Sequence, residues 1–288
     1  MKKHIYILIF LVFPLFVFSQ QVEVDGKMKI TEMDTINTEN HLVVKSPDGT
    51  LATRLVSSLP PPAQDTTRTL QSDLLLTSAL CNCPDLPSAM IQSLLDNGYS
   101  HLDLINFQIS IAELFAAGQT PIDLFNGGVS IDSLYGLTYA GGLIFYLDTF
   151  DVHPSFEGLV ASPDDQSNGA EWGCNGILLG GTSSGIGTGE ANTIAIVGAC
   201  SQAGIAARLC DDLENSGYDD WFLPSKDELN QIYQNLKLNG FGGISPELYW
   251  SSTEYSNFLV SFQDFNLGNQ SDFGSKFGLY RVRAVRAF

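Results

Sequence analysis

The residues that commonly do catalytic chemistry are scattered along this chain of 288 residues. Its four histidines (His4, His41, His101 and His153) are isolated, and none follows His153. A serine or cysteine nucleophile in the second half of the chain would therefore need a lysine or a carboxylate as its base. The sequence shows no such nucleophile–base motif, so we expect a protein that is not an enzyme.

Three aspartate pairs are the candidate metal ligands: Asp164-Asp165, Asp211-Asp212 and Asp219-Asp220. Clustered carboxylate oxygens are the ligands that Ca²⁺ takes in proteins. Each pair is also typical of a solvated surface, which is the interpretation we prefer. We therefore expect no cofactor and no metal site, with Ca²⁺ as the alternative.

The chain has five cysteines, at positions 81, 83, 174, 200 and 210, so at least one has no disulfide partner within the chain. We predict a disulfide between Cys200 and Cys210 that ties two consecutive helices, with Cys174 as the competing partner. Cys81 and Cys83 are too close in sequence to pair easily. A metal site there is disfavoured because no second ligand pair has suitable spacing.

The charge distribution disfavours anionic partners. The formal charge is −18, and no lysine or arginine occurs from residue 69 to residue 207. Such a surface repels phosphate backbones and heparin-like chains, so no nucleic-acid partner is expected. The glycine-rich run at 180–189 does not match the Gly-x-Gly-x-x-Gly motif of dinucleotide-binding loops.

The N-terminus predicts export. Lys2 and Lys3 precede an apolar run at residues 5–18, the pattern of a signal peptide that spans about residues 1–20. The run is too short to favour a spanning helix, and no membrane span is expected after cleavage. We therefore expect a secreted, extracellular or cell-surface protein.

Three segments precede the C-terminal half. Residues 21–59 alternate as strands do, and 60–78 form a polar linker that begins with three prolines. A β-rich segment this small buries little by itself, so we expect it to form a homotrimer or to pack on its neighbours. Residues 79–136 repeat with periods of ten and twenty residues. Successive capping boxes begin at Ser100, Ser110 and Thr120, and a fourth copy begins at Ser130. These boxes predict a stack of short helices, which we interpret as a spacer or platform.

The clearest structural signal within residues 137–288 is the stretch at residues 221–236. Trp221-Phe222-Leu223 predicts a short buried strand, and Ser225 with Glu228 predicts a capping box. The apolar stripe of the following helix consists of Leu229, Ile232, Tyr233 and Leu236. Strands and helices together predict an α+β domain.

This stretch resembles the core motif of the bacterial DUF1566 family, also called the Lcl C-terminal domain family. Further segments resemble it in the same order, at residues 139–142, 171–174, 185–193, 249–254 and 282–288. The resemblance implies a C-type-lectin-like fold for residues 137–288. The Glu-Pro-Asn and Trp-Asn-Asp signatures of calcium-dependent sugar-binding lectins are absent, so lectin activity does not follow from the resemblance.

The region between residues 250 and 280 is the candidate binding site, because it combines aromatic anchors with adaptable hydrogen-bonding groups. A regular strand would place Tyr255, Asn257, Ser261 and Gln263 on one face, with Phe258, Val260 and Phe262 in the core. The predicted ligand-binding residues are Tyr255, Asn257, Ser261, Gln263, Asn266, Asn269, Asp272 and Phe273, of which the last four fall in a predicted loop. The region resembles, in composition and position, the variable region of C-type-lectin-like proteins that retroelements diversify.

These features together predict an extracellular or cell-surface binding or adhesion protein that recognises a protein or a glycan without catalysis. The alternatives are a structural fibre or cap component of the cell surface, and an enzyme of the cell envelope on the same fold.

Overall fold

The computed structural model describes residues 8–10, 23–24, 28–29, 41–45, 51–55, 88–107 and 109–288. The predicted linker, Cys81, Cys83 and most of the predicted signal peptide lie outside these ranges. The chain divides into two compact units, Met1–Gly128 and Val129–Phe288. The sequence places the border of the last domain a little later, at 136/137. Within the described residues, no helix is long and apolar enough to cross a membrane.

The first unit begins with short antiparallel strands. They are β1 (Leu8–Phe10), β2 (Glu23–Val24), β3 (Met28–Lys29), β4 (His41–Lys45) and β5 (Leu51–Leu55). One sheet has the order β1-β4-β5, and β2 pairs with β3. The strands β2 to β5 lie within residues 21–59, where the alternation predicts strands.

The described part of this unit also contains four short helices: α1 (Ser88–Asp96), α2 (His101–Asn106), α3 (Ile111–Ala116) and α4 (Pro121–Asn126). The capping boxes predicted at Ser100, Ser110 and Thr120 are confirmed. Each of these side chains accepts a hydrogen bond from the backbone amide three residues later, and the carboxylate of that later residue accepts one from the capping residue's own amide. α1 packs on α3 and α2 packs on α4, which accounts for a twenty-residue repeat with a half-period of ten. The fourth copy, after Ser130, forms a 3₁₀ turn without a side-chain cap.

The second unit contains two sheets. The first is antiparallel, with the order β14-β8-β7-β6; the second has the order β12-β11-β10-β13-β9, in which only β10 and β13 run parallel. The strands are β6 (Thr138–Tyr139), β7 (Gly142–Leu147), β8 (Gly158–Ala161), β9 (Ser167–Ala170), β10 (Leu248–Glu254), β11 (Leu259–Asp264), β12 (Gln270–Ser275), β13 (Tyr280–Val282) and β14 (Val285–Ala287). The last strand therefore returns to the sheet that holds the first strands of the unit.

Three helices pack with these sheets: α5 (Gly189–Ala199), α6 (Ala206–Asp211) and α7 (Lys226–Ile232), and a π-helix at Tyr233–Lys237 continues α7. The capping box of Ser225 and Glu228 is confirmed. Leu229, Ile232 and Leu236 of the predicted stripe are fully buried in the core. The mixed α+β class is confirmed.

The arginines near the C-terminus pair with carboxylates. Arg281 and Arg283 contact Asp165 at 3.0 and 2.6 Å. Arg286 binds both carboxylate oxygens of Asp220, at 2.6 and 2.8 Å. One aspartate of the 164–165 pair and one of the 219–220 pair are thus ion-pair partners rather than freely solvated groups.

The predicted Cys200–Cys210 disulfide is wrong. Cys174 and Cys200 form the disulfide, with their Cα atoms 5.8 Å apart, and Cys210 is a free, buried thiol. The reason is tertiary: Cys210 shares the buried face of α6 with Ala206 and Ala207, so its side chain packs into the core. Burial also raises the pKa of this thiol.

Candidate functional site

A loop at residues 173–188, here called the anchored loop, lies beside the turn between β10 and β11. The Cys174–Cys200 disulfide ties its beginning to the end of α5, and its last residue, Thr188, precedes that helix. Buried polar side chains from other elements hold the backbone between these points, among them Glu254 of β10, Asn192 of α5 and Glu228 of α7.

Glu254 holds the first part of the anchored loop. Its carboxylate accepts hydrogen bonds from the amides of Leu179 and Gly180, at 3.0 and 2.7 Å. It also pairs with Lys276, and both side chains are almost fully buried. The Lys276 ammonium donates to the carbonyl of Ile177 at 2.7 Å and lies 4.7 Å from the centre of the Trp172 ring. Each buried charge is therefore compensated, as the low-dielectric interior requires.

Asn192 holds the middle of the anchored loop. Its Oδ1 accepts the amide of Ser183 at 2.8 Å, and its Nδ2 donates to the Ser183 carbonyl at 2.7 Å and to Ser252 Oγ at 2.9 Å. The helix α5 begins at Gly189, and Asn192 lies buried within it rather than at its start. Asn192 therefore fixes the loop instead of beginning the helix.

Glu228 holds the end of the anchored loop. Its carboxylate accepts the amides of Gly187 at 2.8 Å, Gly189 at 3.3 Å and Ser225 at 2.8 Å. Burial raises the pKa of Glu228, and the hydrogen bonds from these amides act in the opposite direction. Gly189 must lack a side chain, because a Cβ there would lie 2.3 Å from the Glu228 carboxylate and 2.8 Å from the Phe222 ring.

The anchored loop, the β10–β11 turn and β12 expose five large apolar side chains. The Gly176 amide donates to the Asn257 carbonyl at 2.8 Å, so the loop lies against the β10–β11 turn. The Tyr255 and Phe273 rings are 5.7 Å apart in an edge-on arrangement. The side chains of this apolar patch, between 52% and 70% exposed, are Ile177, Leu178, Tyr255, Phe258 and Phe273.

Two predicted ligand-binding residues, Ser261 and Gln263, are buried, so the prediction that they lie on the binding surface is wrong. The pairing of β11 with β12 shifts register between Val260 and Phe262, so the adjacent residues Val260 and Ser261 are both buried. A register shift of this kind breaks the strict alternation of a regular strand. Phe258, predicted for the core, precedes β11 and is 52% exposed.

The other predicted residues lie at both ends of the β11–β12 hairpin. Tyr255, Asn257 and Phe273 lie near its beginning, whereas Asn266 and Asn269 lie in the turn that follows β11, about 17 Å away by the rise of an extended strand.

Asp272 and Phe273 lie in β12 rather than in the predicted loop. Asp272 pairs with Lys226 at 2.6 Å and accepts the Ser261 hydroxyl at 2.7 Å. The hydrogen bond from Lys226 lowers the pKa of Asp272. The eight predicted residues are therefore not one surface, and the sequence missed Ile177 and Leu178, whose exposure depends on tertiary anchoring.

Residues 88–107 and 109–288 contain no group of three or more His, Cys, Asp and Glu side chains that could hold a metal ion. His153 has one acidic neighbour: its Nδ1 lies 3.5 Å from Asp148 Oδ2, and its ring stacks on Phe156. This packing gives His153 a structural role in the β7–β8 connection.

No family model matches the chain, and no curated protein matches it. Among solved structures, a fimbrial protein from Bacteroides ovatus matches with 16% sequence identity and a TM-score of 0.36. The match covers 51% of this chain and 44% of that chain, so this chain spans less than half of the matched protein. A likeness of this size does not identify the fold.

Proposed function

We propose that this chain is an exported, non-catalytic binding or adhesion protein of the cell surface, which recognises a protein or glycan partner through the apolar patch. The observation that carries the proposal is the exposure of five large apolar side chains on backbone that buried groups hold in place. Clustered exposed apolar side chains on a soluble domain commonly mark an interaction site.

The rigid support of the patch favours recognition over a mobile loop that is exposed by chance. Leu179 and Gly180, next to the exposed Leu178, bond to a carboxylate that is itself paired with Lys276. Backbone that is ordered before binding loses less conformational entropy on association. A patch on such a loop therefore supports tighter and more selective binding than the same residues on a free loop.

We further propose that residues 137–288 have a C-type-lectin-like fold and belong to the DUF1566, or Lcl C-terminal domain, family. In support, β14 joins the sheet of β6–β8, and a second sheet carries the candidate site. The segments that resemble the family also meet at one place. Glu228, Asn192 and Glu254 come from three of those segments, and all three hold the anchored loop.

Export is proposed from the signal-like N-terminus together with the Cys174–Cys200 disulfide. Disulfides form and persist mainly in oxidising compartments outside the cytosol. A binding surface on an exported domain would face other cells, matrix or soluble partners.

The test is binding of the full chain, without residues 1–20, to an array of glycans and cell-surface proteins, with Ca²⁺ and again with a chelator. The proposal predicts a specific hit that the double variant Tyr255→Ser/Phe273→Ser loses. Leu238→Ser is the matched control, because Leu238 is similarly exposed but follows the π-helix. Asn269→Ala, at the far end of the hairpin, should also leave binding intact.

Absence of any hit from the folded, disulfide-intact chain would overturn the proposed function. A hit that the double variant keeps would move the site elsewhere on the protein. Loss of binding in the presence of the chelator would show that binding requires a metal ion.

A further inference from the structure

The charged side chains within the candidate region are already ion-paired or hydrogen-bonded. Residues 250–280 contain four charged side chains: Glu254, Asp264, Asp272 and Lys276. Glu254 pairs with Lys276, and Asp272 pairs with Lys226. Asp264 accepts the amides of Asn266 and Leu267 at 2.8 and 3.1 Å. The patch therefore offers a partner apolar surface rather than a charged anchor.

Polar side chains beside the patch are also engaged internally. Ser261 Oγ donates to Asp272, and Gln263 donates to Asn230 at 2.9 Å and to the Gly268 carbonyl at 3.2 Å. Sugar hydroxyls need hydrogen-bonding groups that are free to pair with them. Ile177 and Leu178 add aliphatic surface, which suits the apolar side chains of a polypeptide.

The rest of this unit is acidic, and its cations are engaged. Residues 129–288 contain 19 Asp and Glu and 7 Lys and Arg, a formal charge of −12 (7 minus 19). Five of the seven cations pair with carboxylates: Lys226, Lys276, Arg281, Arg283 and Arg286. Arg208 donates to the carbonyls of Val197 and Cys200, and Lys237 donates to that of Ile244. The excess carboxylates therefore dominate the field that an approaching partner meets.

We infer that the occupant of the apolar patch is a segment of a protein partner with apolar residues at its centre and lysine or arginine on its flanks. Its apolar side chains cover Tyr255, Phe273 and the neighbouring loop residues, and its basic flanks match the net negative charge of residues 129–288. This inference rests on the proposed function and selects the protein class over the glycan class. A glycan that carries sulfate or carboxylate groups would be repelled by the same field.

The experiment selects a random peptide library displayed on phage against the full chain without residues 1–20. Selected peptides are then synthesised with their own flanks and with each flanking Lys or Arg changed to Glu. We expect enrichment of peptides that combine Phe, Trp, Leu or Ile with Lys or Arg. Tyr255→Ser and Phe273→Ser should each weaken their binding about tenfold, as loss of a central aromatic contact does. Leu238→Ser should bind as the parent does.

Electrostatics provides a second readout. Glu-flanked peptides should bind more weakly than Lys- or Arg-flanked ones, and added NaCl should weaken the basic peptides because salt screens exposed charges. Equal circular dichroism spectra for parent and variants exclude unfolding as the cause of any loss.

Three results would overturn the inference: no enriched peptide, enriched peptides with acidic flanks, or peptides that bind Tyr255→Ser and Phe273→Ser as well as the parent. The proposed function is judged separately on the array. A glycan hit that needs Tyr255 and Phe273, with no enriched peptide, would keep the proposed function and reject the protein segment. If neither the array nor the peptide library yields a binder, the proposed function and the inference are both rejected.

Discussion

The ammonium of Lys276 donates to the carboxylate of Glu254, and both side chains are almost fully buried. The same carboxylate accepts two amides of the anchored loop, and the same ammonium donates to the carbonyl of Ile177. One ion pair therefore determines where Ile177 and Leu178 reach the surface. It links an internal electrostatic contact to the exposed apolar residues for which we propose a binding role.

Loss of Lys276 should strongly destabilise the second unit. Lys276→Met leaves Glu254 buried without its cation, and breaking a buried pair in this way costs about 3–5 kcal/mol. Lys226→Met is the matched control, because Lys226 pairs with Asp272 where both side chains are partly exposed. That change should cost about 0–1 kcal/mol. Urea unfolding measures both, and a Lys276→Met free energy of unfolding equal to that of Lys226→Met would contradict the account.

Substitution by alanine at two glycines of α5 should change the stability of the protein in opposite directions. A Cβ at Gly189 would clash with Glu228 and Phe222, whereas a Cβ at Gly198 meets no atom within 4 Å. Gly189→Ala should therefore destabilise by about 1–3 kcal/mol. Gly198→Ala should stabilise by up to about 1 kcal/mol, since alanine favours the helix. Thermal unfolding distinguishes them, and equal shifts would show that the end of the anchored loop is not packed as described.

Removal of the disulfide should destabilise the same unit. Cys174 and Cys200 are 26 residues apart, and closing a loop of this length contributes about 3–4 kcal/mol in the chain-entropy treatment. Cys174→Ser should lose most of this stability. Cys210→Ala should keep the Cys174–Cys200 linkage in a peptide map made without reduction. A map that joins Cys200 to Cys210 in the parent would refute the assignment.

Asp272 should contribute stability at neutral pH that acid removes. Lys226 lowers the folded-state pKa of Asp272, so its contribution is present above the unfolded-state value of about 4 and is lost as the pH falls through the lower folded-state pKa. The difference in unfolding free energy between the parent and Asp272→Asn should therefore be largest near pH 7 and shrink in acid. Urea unfolding at several pH values measures it, and a constant difference would contradict the lowered pKa.

The contribution of Glu228 to stability should show the opposite dependence on pH. Its folded-state pKa is raised by burial, so its contribution relative to glutamine is present in full below the unfolded-state pKa and falls as the pH rises through the folded-state value. The difference between the parent and Glu228→Gln should be larger in acid than at pH 7. The same series of unfolding curves tests this, and a difference that grows with pH would reverse the assigned direction.

Local sequence signals predicted the helices well. The boxes at Ser100, Ser110, Thr120 and Ser225 each join residues three positions apart, so the sequence contains both partners of every bond. Ser130 shows the limit of the rule. Its N3 residue is Ser133 rather than an acid, and the reciprocal box does not form there.

Features that depend on distant partners could not be predicted. β12 consists of Gln, Ser, Asp, Phe, Gly and Ser, a composition typical of a loop, and it becomes a strand because β11 pairs with it. The register shift that buries Ser261 also depends on this pairing. The Cys174–Cys200 disulfide and the contacts of Glu254 join residues 22 or more positions apart, a separation at which local patterns carry no information.

The central claim is that the anchored loop and the β10–β12 strands form one recognition surface. The most direct measurement is the affinity of a partner found on the array or in the peptide library for Leu178→Ser, Phe273→Ser and Leu238→Ser, each compared with the parent. Leu178→Ser on the loop and Phe273→Ser on the sheet should each weaken binding about tenfold, and Leu238→Ser should not. Parent-like binding by both Leu178→Ser and Phe273→Ser would contradict the claim.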